Sequence, residues 1–286
     1  MCSFKAAAHV AGLHGIPTVA GTSWTTEGSG ISNILNDIVY LDNGLAFAAG
    51  DNGTILKREE NTIYVSGDVS GIWSADTVKV VGEITIPDGE SLSINPGTFV
   101  EFQGHHKFNV QGQILAIGTE QESITFTVAD TTGYYNNSHT GWHGIRFDNT
   151  PTTNDSSKFD YCHFEFGKAV GPDFEDKKGG VFYIYNFSKI RISHSTLYNN
   201  YSTVGSGVYC SHYSSPVIEF NDISHNSASG ENPGDGSGAG IAINYFSSPI
   251  IQNNIISFNL AYGAAGISSL ESSPPKAATP PSMLQL

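Results

Sequence analysis

Residues 179–200, 205–226 and 238–259 superimpose on one another without a gap, 22 positions each, and this internal repeat constrains the chain more than any other feature. Phe182, Val208 and Ile241 share one column, and Ile184, Cys210 and Ile243 share another. Phe187/Tyr213/Phe246, Ser188/Ser214/Ser247, Ile192/Ile218/Ile251, Leu197/Ile223/Ile256 and Asn200/Asn226/Asn259 follow. Apolar and polar residues alternate over short stretches cut by Ser-Ser-Pro or Asn, which predicts two or three brief strands per repeat. Units this short cannot bury an apolar face alone. Stacked in parallel at about 4.8 Å per layer, each column lies over itself and every interior strand is paired on both sides.

That arrangement is a parallel β-helix. In it the asparagine columns read as structural: Asn tolerates the left-handed backbone of a tight corner, and stacked amides can bond up the ladder. Residues 157–166 repeat the 188–197 stretch at an offset of 31, so 144–167 reads as an earlier coil. Between 61 and 128, short alternating runs split by Gly and Pro-Asp-Gly turns predict the cap and first coils.

The run Gly82, Ile86-Pro87-Asp88-Gly89, Leu92-Ser93-Ile94-Asn95-Pro96-Gly97-Thr98, Gly112 to Thr119, Ile124 to Thr127 and Gly141-Trp142-His143-Gly144-Ile145 resembles the opening of bacterial right-handed β-helix repeat proteins of the pectate-lyase-like superfold. The resemblance covers about residues 61–274. It implies an all-β, right-handed parallel β-helix and a secreted or surface-attached protein. It leaves chemistry open, since the family includes lyases, hydrolases, adhesins and proteins of no known activity. Residues 1–60 lie outside the repeat; Leu35 to Tyr40, Gly44 to Gly50 and Asp51 to Lys57 resemble one blade of the photosystem assembly-factor-like propeller repeat. The expected division is therefore a blade-like remnant and linker over 1–60, cap and first coils over 61–128, repeat coils over 129–274 and an irregular tail over 275–286. In that tail PKAATPPSMLQL replaces the expected Ile-x-Asn pattern, as a truncation or shifted reading frame would.

The net charge of −14, from 13 Lys plus Arg against 27 Asp plus Glu, disfavours nucleic acid, and anionic partners need a local basic patch. No apolar run is long enough for a membrane span, and the start MCSFKAAAHVAGLHGIPTVAG is a poor signal peptide. Cys2, Cys162 and Cys210 fit neither a disulfide framework nor a zinc motif. His105-His106, His194, His212 and His225 fall in different columns and share no metal-ligand spacing.

Inward columns hold the stack, so function falls to outward columns or loops. Matching Ile145 to Phe182 sends Arg146, Asp148, Tyr183, Tyr185 and Tyr209 outward, with His143 near. Aromatic rings beside polar groups suit a polysaccharide or cell-surface glycan, although strand propensity alone also supplies tyrosine ladders. A second candidate is the edge formed by loops 168–178, 201–204 and 227–237. It carries Asp173, Glu175, Asp176, Glu231 and Asp235, which as hard-oxygen donors would suit Ca²⁺ but match no calcium motif and equally read as solvated charge. No other cofactor is indicated.

Two readings stay open. One is a non-catalytic structural, adhesive or glycan-binding module. The other is a polysaccharide lyase or glycoside hydrolase working in a groove along the coils, with Arg146, Lys189 and Arg191 as basic candidates and Asp148, Asp160 and Glu165 as acids. Catalytic residues, ligand identity and oligomeric state are not assigned.

Overall fold

The computed structural model describes residues 35–40, 46–58, 61–135, 140–187, 189–230, 236–270 and 276–277. The chain divides into two compact units between Asn61 and Thr62. The first contains a three-stranded antiparallel sheet of Leu35–Tyr40, Ala46–Gly50 and Ile55–Arg58. Its second connection is a tight turn, with Asn52 in the left-handed region (φ 59°) and Asn36 donating to the Asp51 carboxylate at 2.9 Å.

The second unit is a parallel β-helix. One face is an eight-stranded sheet running from Gly71–Trp73 through Ser157–Asp160 and Ile190–Ser193 to Ile250–Gln252 and Lys276–Ala277. The other two faces are joined by one long strand, Thr77–Ile86. Its first half pairs with Phe99–Phe102 and its second half with Phe108–Val110. The inward alternation of Val78 and Val80 breaks at Val81 and Gly82 and resumes at Ile84 and Ile86, so one strand starts two faces. A short fourth ladder runs through Tyr201–Ser202, Ser227–Ala228 and Leu260–Ala261.

Repeat columns and strand register coincide. Phe182 pairs with Val208 and Val208 with Ile241; Ile192 pairs with Ile218, and Leu197 with Ile223. Ile145 pairs with Phe182 as the sequence predicts. The 157–166 stretch of the earlier coil is offset by 33 residues rather than 31, because Phe159 lies beside Ile192 and Phe164 beside Leu197. Inside, aromatic rings stack along the axis, Phe126 on Phe164 at 4.9 Å and Phe147 on Phe187 at 5.7 Å. Cys162 and Cys210 are buried free thiols filling the same core, and burial pushes both thiols well above their ordinary pKa.

The asparagine ladders are structural: their amides bond up the stack as expected, but the ladder residues do not supply the left-handed corner. Asn200 and Asn226 do not take the left-handed step; the residue before each corner does, namely Asn199 (φ 56°), His225 (φ 57°) and Phe258 (φ 52°). The ladder amides are buried and bond along the stack. Oδ1 of Asn226 accepts from the backbone N–H of Asn200 at 3.0 Å and from its Nδ2 at 2.9 Å, while Nδ2 of Asn226 donates to Leu197 O at 2.9 Å. Asn259 repeats these bonds beneath Asn226, and Asn254 beneath Asn221. Each corner therefore satisfies backbone groups that would otherwise be buried without partners.

Candidate functional site

Alternation does turn Arg146, Tyr183 and Tyr209 away from the coil interior, but none of them reaches solvent: their exposures are 5%, 1% and 1%. The two tyrosines form a second small cluster with Val204, Ala242 and the half-buried Tyr185. The cover is the segment 168–178, whose only regular structure is the short 3₁₀ turn Glu175–Lys177. Arg146 lies 4.0 Å from the centroid of Tyr183 and donates to two carbonyls of this segment, Glu175 O at 2.8 Å and Lys178 O at 3.3 Å. The Tyr183 hydroxyl donates to Oε2 of Glu175 at 2.7 Å, and Lys178 donates to Oε1 at 2.8 Å. Burial, then the Glu175 carboxylate, holds the Tyr183 hydroxyl far above its ordinary pKa.

Beneath the same segment lies a pair of imidazoles not anticipated from sequence spacing. His143 Nδ1 is 2.9 Å from His105 Nε2, and His105 also contacts Gly141 O at 3.0 Å and Val170 O at 3.1 Å. His143 Nε2 is buried without a hydrogen-bond partner, 3.9 Å from Oδ1 of Asp176. Lys107 takes that same oxygen at 2.7 Å. Burial, reinforced by Arg146, His105 and Lys107 and opposed by Asp176, lowers the His143 pKa to about 3, so the ring is neutral near pH 7. Burial alone would raise the pKa of Asp176; its hydrogen bond and ion pair with Lys107, helped by His143 and Arg146, outweigh that and leave it below the ordinary value.

Among the acidic-edge residues, Glu175 and Asp176 are thus engaged by Tyr183, Lys178 and Lys107, and Asp173 is exposed. Glu231 and Asp235 lie outside the described residues. Among the described residues no group of three or more His, Cys, Asp or Glu side chains is placed to hold a metal ion. The other acids occupy separate faces. Asp160 accepts from Ser193 at 2.9 Å and sits 2.8 Å from His194 Nδ1, whereas Glu165 accepts from Thr127 at 2.9 Å and lies 3.5 Å from His163. The His163 contact, with the Thr127 bond, holds Glu165 below its ordinary pKa against burial. Lys189 donates to Asn154 O at 2.7 Å, and Arg191 pairs with Glu219.

The exposed part of the stripe lies farther along the strands. Asp148 is exposed and Tyr185 half-buried, and Tyr185 leads into a splayed ladder with His212 at 4.2 Å and Tyr245 at 4.6 Å beyond it, the rings tilted by 32° and 35°. Beside it Tyr213 stacks on Phe246 at 5.5 Å, with exposures of 66% and 53%. These two share a sequence column with Phe187, yet Phe187 is inside the coil. The difference lies in the corner: there Asn186 is left-handed and Phe187 is not, whereas His212–Tyr213 and Tyr245–Phe246 are each two consecutive left-handed residues, the second projecting outward. Asp148, Asn149 and Asn186 extend the rim as a chain of hydrogen bonds of 2.9 and 3.1 Å.

Coils of this register, paired in parallel along three faces, match the model of the right-handed β-helix region over residues 116–277, more than half of the chain. The chain belongs to the right-handed β-helix family. No curated protein and no solved structure matches it. Within this right-handed β-helix, no helix of the described residues is long and apolar enough to cross a membrane.

Proposed function

We propose that this right-handed β-helix is a non-catalytic structural or adhesive module of a secreted or cell-surface protein, contacting glycans at the rim of Asp148, Tyr185, His212, Tyr213, Tyr245 and Phe246. The observation that carries this reading is the division of one outward stripe into a covered half and an open half. In the covered half, Arg146 and Tyr209 already lie against the Tyr183 ring, leaving no free aromatic face. In the open half the tilted rings of Tyr185, His212 and Tyr245 stand beside Asp148, Asn149 and Asn186, as a sugar ring with an apolar face and hydroxyl rim requires.

The β-helix reads as one of the bacterial repeat type, and the antiparallel unit of residues 35–58 as a propeller-blade-like remnant preceding it. The test is binding of neutral oligosaccharides, with and without Ca²⁺, to the full chain and to Tyr245→Ala and Tyr213→Ala. Loss of binding in both variants supports the rim. Binding that survives both places the contact elsewhere, and shortened or unsaturated products point instead to a carbohydrate-active enzyme.

A further inference from the structure

The cover over Arg146 is built unlike the rest of the molecule. At its ends the backbone is tied into the coils: Lys168 N donates to Trp142 O at 2.6 Å, Ala169 N to Tyr201 O at 2.9 Å and Gly179 N to Val204 O at 3.0 Å. Between them the segment forms no strand; Asp176 N turns back to Asp173 O at 3.2 Å, and Pro172 through Glu175 are exposed. What holds this middle part down is a set of acceptors on the segment meeting donors on the coil side, Glu175 Oε2 with Tyr183, Glu175 O with Arg146 and Asp176 Oδ1 with Lys107, beside the contact of Val170 O with His105 Nε2. Phe174, its one large apolar side chain, is 59% exposed and lies 3.8 Å from Lys178 Nζ rather than in the core.

We propose that residues 170–176 are an autoinhibitory strap. Their two carboxylates occupy donors on Lys107, Tyr183 and Lys178, and the Glu175 carbonyl occupies Arg146, a site which in the released state takes a carboxylate-bearing saccharide. The chain is strongly acidic overall, so an anionic ligand requires a local concentration of cations. Here Arg146 lies over the Tyr183 ring, Lys178 shares the Glu175 carboxylate with the Tyr183 hydroxyl, and Lys107 holds the neighbouring Asp176 carboxylate. A second observation points the same way: His143 Nε2 is buried and unpartnered toward this site, 3.9 Å from the Asp176 carboxylate, so the present occupant leaves one polar group unsatisfied. A segment held by polar contacts at an exposed surface is the kind of element that opens locally, and apparent affinity then scales with the open fraction. This site adjoins the aromatic rim at Tyr185 but shares no residue with it.

The test uses the full chain, the double variant E175Q/D176N and Asp176→Asn alone, which removes the charge facing Lys107 and His143 but leaves the Glu175 contacts in place. Hydrogen exchange of 170–176 is read beside binding of alginate oligosaccharides, the carboxylated probe, and dextran oligosaccharides, the neutral one. In the double variant the strap amides exchange about tenfold faster, the amides of Phe182–Tyr185 and Val208–Ser211 do not change, and alginate binds about tenfold more tightly. Asp176→Asn shows the same changes at smaller size, and dextran affinity is unaltered. Unchanged strap exchange, an unchanged alginate affinity, or an equal gain for dextran overturns the proposal. Loss of dextran binding in Tyr245→Ala reports on the rim alone, so the two readings fail separately.

Discussion

The hydroxyl of Tyr183 donates to Oε2 of Glu175 at 2.7 Å, from a ring that is 1% exposed. This bond ties an outward strand residue to the loop folded over it, and so makes a second, polar-lined core outside the coil. Tyr183→Phe removes the donor and is expected to lower stability by about 1–3 kcal/mol, since its acceptor is charged. Urea denaturation checks it. A Tyr183 standing open to solvent would instead tolerate Phe with almost no change.

The corner ladders make a different demand. Asn226 bonds in both directions along the stack, accepting from Asn200 and donating to Leu197 O and Asn259. Asn226→Ala strands several buried groups at once and is expected to cost about 2–4 kcal/mol, by the cost of unmade buried hydrogen bonds. Asn253 precedes such a corner and carries the left-handed step itself (φ 56°). There Gly is expected to be close to neutral and Val to cost about 1–2 kcal/mol or more. Equal effects of Gly and Val in a thermal denaturation series would contradict the assigned backbone.

The buried imidazole sets a pH dependence of known sign. An unfolded chain protonates His143 near pH 6.5, whereas the folded state keeps it neutral down to about pH 3. Between those limits the unfolded state binds more protons, so stability falls on acidification, by up to about 1.4 kcal/mol per pH unit. The expected signature is a slope in unfolding free energy between pH 6 and 4 that His143→Gln reduces. Parallel curves for the two proteins would refute it.

The repeat coils were legible because parallel stacking puts each sequence column in register with itself: Phe182, Val208 and Ile241 need no side-chain detail to be matched. The outward direction of Tyr183 was equally legible, but its burial was not. Exposure of an outward residue depends on where an irregular loop folds back, and residues 168–178 carry no periodic signal. His194, His212 and His225 looked scattered because they occupy three different corners. The structure stacks each on rings of neighbouring coils, His194 between Tyr161 and Phe220 at 4.8 and 5.2 Å and His225 beside Phe258 at 5.2 Å. A usable signal was present: His194, His225 and Phe258 each come immediately before the Ser or Asn of a corner ladder. Phe187, Tyr213 and Phe246 show the opposite limit, since one column splits between core and surface when the number of left-handed residues at the corner changes from one to two.

The most direct test of the functional account is calorimetric titration of neutral oligosaccharides into the wild-type chain and Tyr245→Ala, with chain lengths of the recovered sugars measured afterwards. The account predicts saturable binding that Tyr245→Ala weakens at least about tenfold, as loss of an aromatic contact worth more than 1.4 kcal/mol would, with the sugars recovered intact. Cleaved sugars, or affinity indifferent to Tyr245, would contradict it.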